Sequence, residues 1–225
     1  MLFQGPLFAE EFTVNTIFEK LKVNDGKVQA ISADMEITLS GGGMKGIRQI
    51  AKYFYKSPDK AKVDILTPIK NIMVMKGNET YIKTANSGKY VRANSSDSAG
   101  SGANNDLFQY KYLQQFDLEI DSARSKPDDD MYFIIGYKTD GENKVKYIDF
   151  IFDDEKGVVA QYAIAGSSSF PAMELVQEYS AISGCLIPVK ATAKMNLPSG
   201  SYTSVVSLKN VKVNNNLGDE IFNVK

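Results

Sequence analysis

From Ala51 to Thr84 apolar and polar residues alternate in short runs, cut by Ser57-Pro58-Asp59, Thr67-Pro68 and Gly77-Asn78. These are turn residues that a central strand does not tolerate, so the runs predict antiparallel strands joined by tight turns. Ile47, Gln49, Ala51, Tyr53 and Tyr55 share one parity while Arg48, Lys52 and Lys56 take the other, because successive side chains of a strand point to opposite faces. Val63 and Ile65 oppose Lys62 and Asp64 in the same way. A sheet with one apolar face must cover that face with something.

Upstream, Val14, Ile17, Phe18 and Leu21 stand at amphipathic spacing and predict a helix over Glu10 to Lys22, with acids at its start and Lys20 and Lys22 at its end. Asn24-Asp25-Gly26 is expected to close it. A long strand follows, with Ile31, Ala33, Met35, Ile37 and Leu39 on one side and Ser32, Asp34, Glu36 and Thr38 on the other, and Gly41-Gly42-Gly43 turns it back. Asn94 to Asn105 is small and polar throughout and predicts a mobile loop within one domain. Asp106 to Phe116 places Leu107, Phe108, Tyr110, Leu113 and Phe116 at helical spacing behind Asp106 as N-cap. That second helix is either a lid delivered by the loop or a permanent cover of the sheet. From Asp117 the period returns to two, in Leu118-Ile120, Met131 to Tyr137, Ile148 to Phe152 and Val158 to Ile164, with three more strands in Met173 to Ser183, Cys185 to Met195 and Tyr202 to Val213.

The fold class is therefore mainly β, with two or three helices and ten or more antiparallel strands wound as a meander. So many strands in one sheet curl. A curled sheet with an apolar concave face and few helices to fill it becomes an incomplete, half barrel with a cavity capped by helices, unless Phe, Tyr and Met side chains fill the space.

At 225 residues and 43% hydrophobic content the chain suits a single domain. Leu2-Phe3-Gln4-Gly5-Pro6 matches the remnant left by a viral protease used to remove tags, so residues 1–6 are set aside and 7–225 form the domain. A native signal or lipid-bearing N-terminal cysteine would have been removed with the natural start. Histidine is absent, which removes the commonest general base, the usual partner of nucleophilic Ser or Cys, and the usual zinc ligand. The carboxylates alternate outward or sit in turns, so no catalytic pair is predicted. The Asp128-Asp129-Asp130 run fits no calcium-loop spacing. The expectation is a protein that is not an enzyme and needs no metal or cofactor. Cys185 stands alone, in a strand-like run that suits a small buried hydrophobe.

A net charge of −1 argues against nucleic acid as a partner. The charge is unevenly spread. Lys45 to Arg92 holds eleven bases against Asp59, Asp64 and Glu79, whereas Asp106 to Glu155 holds thirteen acids against six bases. Arg48, Lys52, Lys56 and Lys60 are thus candidates for docking an anionic membrane surface or an acidic partner, or else form a solvated outer face. No apolar run reaches the ~18–20 residues of a membrane span.

The order of these motifs resembles the outer-membrane lipoprotein-sorting proteins typified by the periplasmic carrier LolA, with LolB-type acceptors as relatives. An amphipathic helix and long strand precede the aromatic-x-Lys-x-Pro element Tyr53-Phe54-Tyr55-Lys56-Ser57-Pro58. Then come Thr67-Pro68, the apolar Ile72-Met73-Val74, and the hairpin Gly77-x-x-x-Tyr81. Gly184-x-x-x-Pro188, Lys190 and Val211-x-Val213-Asn214-x-x-Leu217-x-Asp219-x-x-Phe222 resemble the family's terminal strands. One departure is Ser57, where the family carries an arginine implicated in closing the cavity. The resemblance implies a half-barrel that receives lipoprotein acyl chains, or a related lipid, between an inner-membrane transporter and an outer-membrane acceptor. It also implies a periplasmic location, an N-terminal anchor in some members, and transient contact with membrane surfaces.

Parity then assigns the cavity lining to Met35, Ile37, Tyr53, Tyr55, Val63, Ile65, Ile72, Val74, Phe133, Ile135, Phe150, Phe152, Tyr162 and Ile164, and the lid to Phe108 and Leu113. A charge at Phe150 is expected to abolish lipid retention without unfolding the protein. Two other readings share the pattern: an envelope phospholipid or glycolipid binder or sensor of the same fold, and a filled-core interaction module docking through its basic face.

Overall fold

The computed structural model describes residues 12–93, 110, 113–140, 143–164, 172–197 and 200–224. The predicted loop at Asn94 to Asn105 and the predicted lid residue Phe108 lie outside them. Thirteen antiparallel strands form one sheet that is not closed into a barrel. The first six are β1 (Ala30–Gly41), β2 (Met44–Lys56), β3 (Lys60–Thr67), β4 (Asn71–Lys76), β5 (Glu79–Thr84) and β6 (Val91–Arg92). They are followed by β7 (Asp117–Ile120), β8 (Met131–Asp140), β9 (Asn143–Asp153), β10 (Val158–Ile164), β11 (Ala172–Ile182), β12 (Cys185–Leu197) and β13 (Gly200–Val213). Across the sheet the order is β6-β5-β4-β3-β2-β1-β13-β12-β11-β10-β9-β8-β7. The expected meander is thus two meanders, joined where the last strand returns to pair with the first.

One α-helix, α1 (Val14–Gly26), stands whole among the described residues, and within the second predicted helix Tyr110 and Leu113 are helical, with 106–109 and 111–112 outside those described. Helix α1 begins later and ends later than the predicted Glu10 to Lys22. Thr13 is the N-cap: its hydroxyl accepts from the Thr16 amide at 3.3 Å and the Thr16 hydroxyl accepts from the Thr13 amide at 3.3 Å. Asn24-Asp25-Gly26 continues the helix because the sheet holds its last turn. Asn24 Nδ2 donates to the carbonyls of Lys156 and Gly157 at 3.0 and 2.8 Å. Lys20, which therefore sits mid-helix, pairs with Asp154 beside the same turn.

Register carries one face across the whole sheet. Phe150 faces Tyr162, Tyr162 faces Leu175, Leu175 faces Ala193, Ala193 faces Ser204, Ser204 faces Leu39 and Leu39 faces Ile47. On this inner face Ile17 and Leu21 of α1 are fully buried against Ile134, Ile148, Phe150, Phe152 and Tyr162. Leu113 and Phe116 complete that core. A second core, around Tyr53, Tyr55, Val63, Met75 and Ile187, lies toward the other half of the sheet. On the outer face the C-terminal segment, with Leu217 and Phe222, covers Ala30 and Val74.

Gly136 lets Phe116 lie directly on the sheet. A Cβ there would meet Ile148 Cγ2 at 2.5 Å, Leu118 Cδ2 at 3.1 Å and Phe116 Cβ at 3.3 Å. Gly136→Ala is expected to lower unfolding stability by about 1–3 kcal/mol through overpacking, read as a reduced denaturant midpoint with an unchanged slope.

Candidate functional site

Ten of the fourteen predicted lining residues share the inner face: Met35, Ile37, Tyr53, Tyr55, Val63, Ile65, Phe150, Phe152, Tyr162 and Ile164. Four do not. Val74 pairs with Lys62 and Ile72 with Asp64, on the outer face, where both pack beneath the C-terminal segment. Phe133 pairs with Ile151, and Ile135 with Asp149, again outward, and the Arg124 guanidinium lies 3.7 Å from the Phe133 ring. Their neighbours Met73, Met75 and Ile134 take the inner positions. The runs Ile72 to Met75 and Met131 to Ile135 lack alternation because the strand there is covered on both faces, and that unbroken apolarity is the signal to read.

The inner face has a closed half and an open half. Phe150 and Phe152 are sealed beneath α1 at 1% and 0% exposure, so the expectation that a charge at Phe150 leaves the fold intact is corrected. Leu113, the other predicted lid residue, is itself 2% exposed within that core. Toward the β1–β2 and β3–β4 turns the same face is only half-buried, at Met35, Ile37, Leu39, Ile65 and Met73 and across to Met195 and Val206, and Ile47 is 40% exposed. At the rim of β10–β13 a depression of about 260 Å³ lies mostly on the outer face, lined by Ala163, Glu174, Lys194, Asn196 and Thr203, with Ile164, Met173 and Tyr202 at its inner edge. It is smaller than the ~300–1,000 Å³ of small-molecule pockets.

The two tyrosines of the second core are held neutral. Burial pushes the Tyr55 phenol up to about 12 and the fully enclosed Tyr53 phenol further still. The Tyr53 hydroxyl has no hydrogen-bond partner. No group of side chains suited to holding a metal ion occurs among the described residues.

Each cation proposed for docking is paired with an acid of the chain itself. Arg48 grips Glu36 through two bonds of 2.7 and 2.9 Å, and Lys52 pairs with Asp34 directly across the strand. Lys56 and Lys60, 2.9 and 3.0 Å from one oxygen of Asp219, hold the C-terminal segment to the outer face. Lys56 also donates to the Leu217 carbonyl at 2.8 Å. The lysine of the Lys-x-Pro element is here a clasp for the chain's end. Exposed apolar side chains stand instead at the β3–β4 turn, where Ile69 is 70% exposed beside Lys70.

No family model matches the chain, and no curated protein does. Solved structures do. A LolA superfamily protein from Nitrosomonas europaea is 18% identical with a TM-score of 0.68, over 95% of this chain and 98% of that one. A DUF1329 family protein from Desulfovibrio piger is 13% identical with a TM-score of 0.71, over 93% and 97%. An outer membrane lipoprotein-sorting protein domain from Vibrio parahaemolyticus is 11% identical with a TM-score of 0.69, over 92% and 94%. The class is thus a mainly β protein built on one open antiparallel sheet, and that fold is the one the chain shares with these three structures. No helix among the described residues is long and apolar enough to cross a membrane.

Hydrogen bonds from Lys56 and then Lys60 hold the Asp219 carboxyl down to about 2, below its ordinary 3.8. A depressed folded value contributes stability above the unfolded value and loses it as pH falls through the folded one. Amide exchange in residues 217–224 is therefore expected to quicken as pH drops from about 4 to 2, beyond the intrinsic pH effect. Asp219→Asn is expected to show the faster rate already at neutral pH.

Proposed function

We propose that the chain is a non-enzymatic periplasmic carrier that holds the acyl chains of lipoproteins, or of a related envelope lipid, on the inner face of its open sheet for delivery toward the outer membrane. The observation that carries this reading is the continuity of that face. One half is closed by α1, and the other leaves Met35, Ile37, Leu39 and Met73 half-exposed without a covering element among the described residues. The likeness to an outer membrane lipoprotein-sorting domain supports it.

The energetics suit transfer. Moving a ~14-carbon chain from water to an apolar lining is worth on the order of 10 kcal/mol, but moving it from a bilayer gains almost nothing. Such a carrier depends on a transporter for loading and releases to any acceptor that buries the chain slightly better. A flexible lining serves this better than a rigid one. Met35, Met73, Met75, Met173 and Met195 all stand on the inner face.

Organic extraction and mass spectrometry of the purified protein, with uptake of a fluorescent acyl probe, test the reading. Bound lipid or saturable uptake, displaced by a triacylated peptide, is expected. Displacement by phospholipid alone points to the envelope-lipid binder, and a protein that takes up nothing is the filled-core module. Ile37→Asp is expected to weaken probe binding at least about tenfold while the melting transition stays, since Ile37 is half-exposed. Phe150→Asp is expected to cost about 4 kcal/mol or more by burying a charge, seen as loss of the cooperative melt.

A further inference from the structure

Tyr53 lies in the second inner-face core, facing Ala33 on β1 and Val63 on β3. It is 1% exposed, and its hydroxyl has no hydrogen-bond partner. Buried polar side-chain atoms are nearly always satisfied, and one that is not needs a reason. Packing supplies none, because phenylalanine would fill the same space without an unpaired hydroxyl. The inner face carries a second such atom. Asn71 Oδ1 is buried and unpartnered, on the residue opposite Ile65, one pair further along the same face. From Ala33 the half-buried stripe Met35, Ile37 and Leu39 continues for about 20 Å along β1 at the rise of a strand. That exceeds the ~15 Å of one leaflet of a bilayer's hydrocarbon core.

An apolar stripe of acyl length leads to this enclosed hydroxyl, which a ligand reaches only when the packing around Tyr53 opens, and the pair then matches a molecule with a hydrogen-bond acceptor at the end of a hydrocarbon tail. Resting on the carrier reading above, we propose that Tyr53 is the polar contact of the acyl site, its hydroxyl donating to the carbonyl oxygen of the ester or amide that links the acyl chain to its head group. Apolar burial along Met35, Ile37 and Leu39 retains the tail but does not discriminate between tails. The Tyr53 hydroxyl distinguishes a carbonyl-linked chain from an ether-linked or plain hydrocarbon one. Tyrosine is then kept where phenylalanine would be the more stable choice.

Displacement of a fluorescent acyl probe by monopalmitoylglycerol and by its ether analogue hexadecylglycerol tests this in wild type and Tyr53→Phe. The wild type is expected to hold the ester about five- to tenfold more tightly, the worth of one net hydrogen bond. Tyr53→Phe is expected to bind both at the ether's affinity and, without ligand, to melt at the same temperature or higher. An equal ester-to-ether ratio in the two proteins overturns the proposal. So does a ligand-free Tyr53→Phe protein that melts clearly lower, because the hydroxyl would then be satisfied within the fold. If the wild type binds neither compound nor the probe, the carrier reading itself fails. If it binds ester and ether equally, that reading survives and only the role of Tyr53 falls.

Discussion

The pairing of β1 with β13 is the constraint on which the rest of this molecule depends. Ile31 faces Val213 and Gly41 faces Tyr202, so the contact forms only after nearly the whole chain has been placed, and its loop-closure cost comes before its return. Once formed, it turns two meanders into one sheet and aligns their apolar faces. Without it the second core around Tyr53 would lose Cys185, Ile187, Val211 and Val213, which the other meander supplies. The approach is close at its far end. Gly41, with φ of 115°, would bring a Cβ to 2.1 Å from the Ser201 carbonyl oxygen, so the glycine turn and the β12–β13 hairpin require each other.

A joined sheet of this kind leaves two edges, and both are short: β6 has two residues and β7 has four. Short edges limit pairing with other chains, and because they do not pair with each other the sheet stays open. An open sheet exposes part of its inner face by necessity. The same topology that protects against aggregation therefore provides an apolar surface for a ligand.

Strand existence, turn positions and the mainly β, antiparallel architecture were legible because period-two alternation and Pro or Gly turns are local signals. What was not legible depended on distant segments. The parity of Ile72 and Val74 follows from Phe222, more than a hundred residues on, which covers the outer face that alternation assigned to solvent. The end of α1 follows from carbonyls in the β9–β10 turn, which hold Asn24 where local residues read as a stop. The acids Asp34 and Glu36 were visible on the outward parity of β1, and so were Arg48 and Lys52 on β2. Only the register set Asp34 opposite Lys52 and Glu36 diagonal to Arg48, where they form ion pairs.

Those ion pairs bear on how such a protein would meet a membrane. Exposed pairs of this kind contribute little stability, and here they leave positive charge in excess, because Lys56 and Lys60 share the carboxylate of Asp219 and Arg48 and Lys209 share that of Glu36. Exposed apolar side chains stand at the rim, where Ile69 is beside Lys70 and where the half-buried stripe of the inner face ends. The two features act at different distances: the surplus charge reaches about a Debye length, ~10 Å at 0.1 M salt, whereas an apolar rim engages only a surface already in contact.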